Sequence, residues 1–245
     1  MLPAALDHLR RADPVLARII DESGECTLVV HSQGTHFQYL LAAIVHQQLA
    51  GAAARTIHGR VLALYDGRNP EPHELLGTPD RKLRAAGLSG QKIAYLRDLA
   101  RRSSSGDVAL PTLDALPDDE IIVALTRVKG IGRWTAHMFL MFRLGRPDVL
   151  PELDYGVRKG MQIAYRLRKL PTPARMHQLA ASWAPYRTVG SWYMWRVLES
   201  PAARAQRRAR LARKPKAKLK LRSKSKSKLP SGARRAPRGA KRPRK

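Results

Sequence analysis

The sequence predicts an all-α protein that carries a basic tail at its C-terminus. Apolar side chains between residues 36 and 198 recur mainly at helical spacing, whereas the alternation typical of a β-strand is sparse. Clusters of proline and glycine interrupt the helical pattern at short intervals. Beyond residue 200 the composition changes to Lys, Arg, Ala, Ser and Pro. We therefore expect a body of several short helices joined by tight loops, followed by a tail of a different kind.

The first 35 residues are expected to form a helical lead-in to this body. This stretch contains one candidate strand, residues 26–31 (CTLVVH), but it alternates weakly and is too isolated to define a sheet. The first clear helical pattern starts at Phe37, from which apolar residues fall at helical intervals as far as Leu49. A helix is therefore predicted from about residue 36.

Residues 116–126 show how a later helix is specified. Pro117 and Asp118 supply a start, Glu120 favours the first turn, and an apolar stripe follows. Residues 127–132 contain two glycines and should end this helix, and a new one is expected to begin at about Arg133.

The tail holds most of the charge of the chain. Residues 201–245 contain 20 of the 46 Lys and Arg side chains and no acidic residue. The first 200 residues hold 26 basic and 19 acidic side chains, a net charge of +7. A segment of this composition cannot bury enough apolar surface to offset the entropy of ordering it. We predict a core over residues 36–200 and a disordered cationic arm over residues 201–245.

Charge and composition also restrict the class of protein. A strongly basic chain points to a polyanionic partner, most commonly nucleic acid. No apolar run approaches the roughly 20 residues of a membrane span, and the N-terminus lacks the order of an export signal. Cys26 is the only cysteine, which excludes an intrachain disulfide and an all-cysteine metal site. We expect a cytoplasmic, nucleoid-associated protein in which Cys26 is an inert thiol.

The most informative segment is residues 125–136 (LTRVKGIGRWTA). Gly130 and Gly132 allow a tight reversal of the chain between two helices. Such a turn leaves backbone amides near the start of the second helix free to bind an anion, for which phosphate is the obvious candidate. By itself, a single Gly-x-Gly turn is more often an ordinary loop between packed helices.

The context of this turn resembles the helix-hairpin-helix motif of DNA glycosylases, in which V-x-G-I-G-x-W/K-T-A precedes an apolar helix. Twenty residues after Trp134, the segment DVLPELDYGVRKG places Asp154 where that superfamily has its catalytic aspartate. Two further segments match in order. Residues 44–57 (IVHQQLAGAAARTI) resemble the helix boundary whose loop enters the minor groove, and residues 183–196 (WAPYRTVGSWYMWR) resemble the closing helix.

The chain is thus identified as a member of the HhH-GPD superfamily, of the 3-methyladenine DNA glycosylase II branch. Only about 35 residues precede the core, which implies the compact form without an additional N-terminal α/β domain. The resemblance implies two helical subdomains with a DNA-binding cleft between them. It also implies a monomeric hydrolase that flips alkylated purines such as 3-methyladenine and 7-methylguanine out of duplex DNA and leaves an abasic site.

The resemblance assigns a role to individual residues. Asp154 is the expected catalytic carboxylate, because a carboxylate can stabilise the positive charge that develops on the sugar. Glu152 is the fallback, and helix capping is the ordinary alternative role for Asp154. The expected base pocket consists of Trp134, Trp195 and Tyr155, whereas Trp183 and Trp192 are expected to be core residues.

The expected DNA-binding residues lie in the loop after the first core helix, where Gln48 is the favoured wedge, and in the hairpin. They are Gln47, Gln48, Leu49, Lys129, Gly130, Ile131, Gly132, Arg133 and Thr135. Relatives bind a monovalent cation, Na⁺ or K⁺, through hairpin carbonyls, here those of Thr126, Val128 and Ile131. No cofactor is expected to be required for catalysis.

Two other functions remain open from the sequence. The chain could act on deaminated, etheno or oxidised bases, since the shape of the pocket sets the substrate. It could instead be a non-catalytic protein that compacts DNA with its hairpin and tail, although such a protein would have no need of the Asp154 motif.

Overall fold

The computed structural model describes residues 2–199, which contain α-helices, two short 3₁₀ turns and no β-strand. The arm predicted for residues 201–245 lies outside the described residues. Within residues 2–199, no helix is long and apolar enough to cross a membrane. The helices are α1 Leu2–Ala12, α2 Pro14–Ser23, α3 His36–His46, α4 Gly51–Ala63, α5 Pro72–Gly77, α6 Asp80–Ala85, α7 Gly90–Ser104, α8 Asp118–Thr126, α9 Arg133–Phe142, α10 Tyr155–Ala164, α11 Pro173–Leu179 and α12 Arg187–Glu199.

The helices bury two separate apolar cores, and this confirms the predicted pair of helical subdomains. The first core is formed by α3 to α9, with Leu40, Leu96 and Phe139 among its fully buried side chains. The second is formed by α1, α2 and α10 to α12, with Leu9 and Tyr193 at its centre. Trp195 packs against both cores, so the two subdomains meet at α12.

The N-terminal helices are an integral part of the second core. Asp13, which the sequence analysis did not single out, caps α2 by accepting a hydrogen bond from Val15 N at 2.8 Å. Its carboxylate is buried, and it also accepts hydrogen bonds from Tyr165 Oη and, at 2.9 Å, from Trp183 Nε1. Because a buried carboxylate must be hydrogen-bonded, these contacts bind α1 and α2 to residues more than 150 positions later.

The candidate strand was wrong, whereas the first core helix ends at the expected loop. Residues 26–31 form no strand and no other regular secondary structure, and one backbone hydrogen bond ties the segment to the body, from His31 N to Phe142 O at 2.7 Å. The helix that starts at His36 ends at His46, so Gln47, Gln48 and Leu49 lie in the loop after the first core helix, as the resemblance implied. It ends there because Gln47 leaves the helical conformation, with ψ of 134°, and Gln48 follows with a left-handed φ of 57°; Leu49 is exposed.

The close packing of α10 on α12 depends on Gly160. A Cβ atom at this position would overlap the carbonyl oxygen of Met194 on α12, and backbone cannot rotate aside as a side chain can. We expect Gly160→Ala to lower the free energy of unfolding by about 1–3 kcal/mol, as overpacking a tight core commonly does. Chemical denaturation of the full chain measures the change.

Gly59 provides the matched control. It lies within α4 and is exposed, and a Cβ atom there would meet nothing within 4 Å. Gly59→Ala should therefore be neutral or stabilise the protein by about 0.4–1 kcal/mol, because alanine reduces the entropy of the unfolded chain. Equal effects of the two substitutions would contradict the proposed close approach of α10 and α12.

Candidate active site

The hairpin reverses the chain between α8 and α9 as predicted. Gly130 has a φ of 82°, in the left-handed region that favours glycine. A Cβ atom there would also overlap the ring of Tyr95, which lies against the turn. Gly132 is the N-cap residue of α9. Both the backbone conformation and the available space therefore require glycine at position 130.

Asp154 lies where α9, α10 and α12 meet. It is the N-cap of α10, and its Oδ1 accepts a hydrogen bond from Val157 N at 2.8 Å. The same oxygen accepts one from Trp195 Nε1 at 2.9 Å, and Oδ2 accepts one from Trp134 Nε1 at 2.8 Å. A carboxylate offers about four lone-pair sites. Three donors thus fix its orientation and leave one site on Oδ2 for a further partner.

The three predicted pocket aromatics differ in exposure. Trp134 on α9 is 43% exposed and Tyr155 at the start of α10 is 63% exposed. Trp195 on α12 is half-buried and stacks on Phe142, with ring centroids 5.8 Å apart. The hydrogen bonds to Asp154 fix both indoles, so the carboxylate and two aromatic rings form one preorganised group. Tyr155 adjoins that group in the chain and is the most exposed of the three rings.

The other two tryptophans belong to the second core. Trp183 is fully buried, and its indole N–H donates to Asp13. Trp192 is 6% exposed and lies under the guanidinium of Arg196, 4.7 Å from its ring centroid. The expectation that both are core residues is confirmed.

Glu152, the fallback carboxylate, is buried, and its negative charge is paired with Arg133. Its Oε1 accepts a hydrogen bond from Arg133 Nε at 2.7 Å, and His137 faces its other oxygen at 3.6 Å. Burial alone raises the pKa of Glu152, but the hydrogen bond and the charge of Arg133 outweigh it and hold that pKa below its ordinary value. This geometry suits a structural ion pair rather than a group that faces a substrate.

A cleft of about 640 Å³ opens beside Trp134. Its lining includes Tyr39, Ala43 and Met138, none of which the sequence analysis named. Helical spacing could have identified them. Met138 stands four residues after Trp134 on α9, and Tyr39 and Ala43 are likewise four apart on α3. Burial raises the pKa of Tyr39 to about 12, so its hydroxyl stays neutral in the cleft.

The predicted DNA-binding residues fall into exposed and internal groups. Lys129, Gly130, Gly132, Arg133, Gln48 and Leu49 are exposed. The side chains of Ile131 and Thr135 are buried, so Ile131 can reach DNA only through its backbone, whereas Thr135 lines the cleft. Gln47 is directed to the protein itself, since its amide donates to Gly130 O at 2.9 Å.

The predicted cation ligands lie at the end of α8 and in the hairpin. Val128 O accepts a hydrogen bond from Ile131 N at 3.0 Å, which leaves one of its two lone pairs. Thr126 is exposed, and its hydroxyl donates back to Ile122 O. Among residues 2–199 there is no cluster of three His, Cys, Asp or Glu side chains that could hold a metal ion. Carbonyl oxygens of this kind fit a monovalent cation.

The family model described as "HhH-GPD superfamily base excision DNA repair protein" matches residues 41–185. Among curated proteins, DNA-3-methyladenine glycosylase 1 of Schizosaccharomyces pombe is 37% identical over 165 residues, which are 66% of this chain and 72% of that protein.

Two solved structures similar to this chain are likewise 3-methyladenine DNA glycosylases. The Schizosaccharomyces pombe 3-methyladenine DNA glycosylase in complex with abasic DNA has a TM-score of 0.73 and 32% identity, and the match covers 81% of this chain and 98% of that one. The DNA-3-methyladenine glycosidase of Bacillus halodurans has a TM-score of 0.72 and 36% identity, covering 80% and 89%.

Proposed function

The chain belongs to the HhH-GPD superfamily of base excision DNA repair proteins, and on that premise we propose that it is a DNA glycosylase for alkylated purines. Its reaction is hydrolysis of the N-glycosidic bond of bases such as 3-methyladenine and 7-methylguanine in duplex DNA. One observation carries the proposal: the Asp154 carboxylate is held by two indole N–H groups beside the exposed ring of Trp134.

Asp154 acts through its charge. Cleavage of the N-glycosidic bond builds positive charge on the sugar ring, and a carboxylate held close to that ring stabilises the transition state. Because three N–H donors already fix Asp154, it does not have to reorganise as the charge develops. The remaining lone pair of Oδ2 is available to orient the water that attacks the sugar.

The aromatic residues select the base. Purines alkylated at N3 or N7 are cationic, and cation–π attraction to an aromatic face adds about 0.5–2 kcal/mol of binding energy. Trp134 and Tyr155 offer exposed rings for this purpose, and Trp195 contributes the ring that Phe142 supports from behind. A neutral normal base lacks that attraction, so the pocket favours the damaged form.

An enzyme that acts on a base in a duplex must flip it out and fill the space that it leaves. Gln48 and Leu49 are exposed on the loop between α3 and α4, and we assign the filling of that space to them, with Gln48 as the wedge. The hairpin holds the DNA backbone through its amides and through Lys129. The carbonyls of Thr126, Val128 and Ile131 would hold Na⁺ or K⁺, which would supply positive charge at the hairpin. We infer that the enzyme acts as a monomer.

The product is expected to be an abasic site on an uncut strand. Glycosylases that also cut DNA use a lysine amine as nucleophile, two residues after the hairpin turn, and Trp134 occupies that position here. Borohydride added during turnover should therefore trap no covalent complex with DNA. A borohydride-stable adduct would show that another amine attacks the sugar and would contradict the proposed monofunctional reaction.

The substrate class is tested by following free base released from four duplexes that differ only in one lesion. We expect release of 3-methyladenine and 7-methylguanine, slower release of hypoxanthine, and no release of 8-oxoguanine. Release of 8-oxoguanine in preference to the alkylated bases would make the protein a glycosylase for oxidised bases. No release from any duplex that the protein binds would favour a non-catalytic DNA-binding protein.

A further inference from the structure

A buried carboxylate outside the active site holds the hairpin. Asp98 lies on α7 and is only 5% exposed. Its Oδ2 accepts a hydrogen bond from the backbone N–H of Lys129 at 2.9 Å and another from Arg102 Nε at 3.0 Å. Burial opposes the charged form, but these two donors hold the pKa of Asp98 below its ordinary value. The carboxylate thus stays ionised beneath the turn and fixes one of its amides.

Two further contacts hold the same turn. The amide of Gln47, on the loop that precedes α4, donates to Gly130 O at 2.9 Å. The ring of Tyr95 fills the space beside Gly130, and Gln91 donates to the Tyr95 hydroxyl at 2.6 Å. The turn is therefore held at the adjacent residues 129 and 130 by α7 and by the loop between α3 and α4.

The contacts leave two amides of the turn available. Within residues 2–199, the backbone N–H groups of Gly130 and Gly132 donate to no protein acceptor, whereas the N–H of Lys129 is taken by Asp98. A ligand that binds to a preset turn does not have to order it first, which increases affinity. The contacts made by Asp98 and Gln47 thus lie where they would preorganise an anion-binding turn.

We infer that Asp98 and Gln47 are positioning residues, which preset the hairpin for a DNA phosphate and couple it to the loop that carries Gln48. This inference rests on the proposed function only in that duplex DNA is the ligand. It changes the role of Gln47 from a DNA contact to an internal strut, meaning a hydrogen bond that joins the loop after α3 to the hairpin. Because the strut joins the loop to the hairpin, a phosphate bound at the hairpin also fixes the loop that fills the flipped base's space.

The two hydrogen bonds that Asp98 accepts differ in what they affect. Arg102 is partly exposed, also pairs with Asp107, and meets Asp98 at the same oxygen as Lys129 N, so its substitution leaves the hydrogen bond to the hairpin in place. The hydrogen bond to Lys129 N is the contact that affects the hairpin. Asparagine can keep it, because both donors converge on Oδ2, and an amide oxygen at that point accepts from both.

The test measures the Kd of an undamaged duplex by fluorescence anisotropy for Asp98→Ala, Asp98→Asn and Arg102→Gln. We expect Asp98→Ala to raise Kd about tenfold, a typical cost of one lost hydrogen bond and its preorganisation. Asp98→Asn and Arg102→Gln should stay within about twofold of the wild type. In single-turnover excision, Asp98→Ala should need a higher enzyme concentration to reach its half-maximal rate. Its maximal rate should stay close to that of the wild type.

Gln47→Leu keeps the test decisive if Asp98→Ala does not fold. This substitution removes the hydrogen bond to Gly130 O at a half-buried position and should also raise Kd about tenfold. If Asp98→Asn and Asp98→Ala weakened binding equally, or if Gln47→Leu bound the duplex like the wild type, the inference would be overturned. Undamaged duplex requires no excision, so these outcomes are distinguishable from a failure of the proposed enzymatic function.

Discussion

Replacement of Asp154 by asparagine is expected to slow base excision by about 10²–10³-fold, the usual cost of removing one preorganised electrostatic group. Most of the local structure should survive. Asparagine caps helices about as well as aspartate, and its oxygen can keep the hydrogen bonds from Val157 N and Trp195 Nε1. Only the bond from Trp134 Nε1 loses its acceptor. We therefore expect the rate of base excision to fall far more than the stability of the fold.

Single-turnover release with enzyme in excess measures this effect, because binding then no longer limits the rate. Glu152→Gln is the matched control, since the oxygen of the new amide can still accept the hydrogen bond from Arg133 while the nearby negative charge is lost. We expect this control to excise at close to the wild-type rate. If Glu152→Gln were slow and Asp154→Asn were not, the catalytic carboxylate would be Glu152.

Removal of residues 204–245 is expected to weaken binding to undamaged duplex by at least about a hundredfold at low salt. The deletion removes 20 basic side chains and no acidic one. Each phosphate contact made by such side chains releases counterions and adds about 0.9 to the dependence of log Kd on log salt concentration. We therefore expect the truncated chain to show a shallower salt dependence as well as a higher Kd.

A full-length variant with glutamine in place of the Lys and Arg residues beyond position 203 separates charge from length. It should bind DNA as weakly as the truncated chain, and both should excise at the wild-type rate when the duplex is saturated with enzyme. An unchanged salt dependence after truncation would show that the tail does not act as an electrostatic tether.

The sequence predicted the helical body well, because amphipathic spacing and Pro and Gly punctuation are local signals. The helices predicted to start near Asp118 and Arg133 begin at those residues. The packing of α1 and α2 into the second core was not predictable in this way. It depends on Asp13 meeting Tyr165 and Trp183, and a contact across 150 residues has no local signature. The candidate strand at residues 26–31 was wrong for the same reason, since a strand requires a partner strand and none is present among the described residues.

At the candidate site, motif spacing placed Asp154, Trp134 and Trp195 together, and the structure brings their polar atoms within hydrogen-bonding distance. The sequence could not distinguish outward from inward side chains. Gln47 was expected to contact DNA but bonds to Gly130 O, because the end of α3 directs it at the hairpin. Asp98 had no motif of its own, and only the fold shows that it lies beneath Lys129.

We claim that the charge of Asp154 stabilises a cationic sugar, and a comparison of two substrates tests this directly. Single-turnover rates are measured for wild type and Asp154→Asn on matched duplexes that contain 7-methylguanine or hypoxanthine. An already cationic base leaves more readily and needs less help, so the loss on Asp154→Asn should be large for both and greater for hypoxanthine. Near-wild-type release of both bases by Asp154→Asn would contradict the claim.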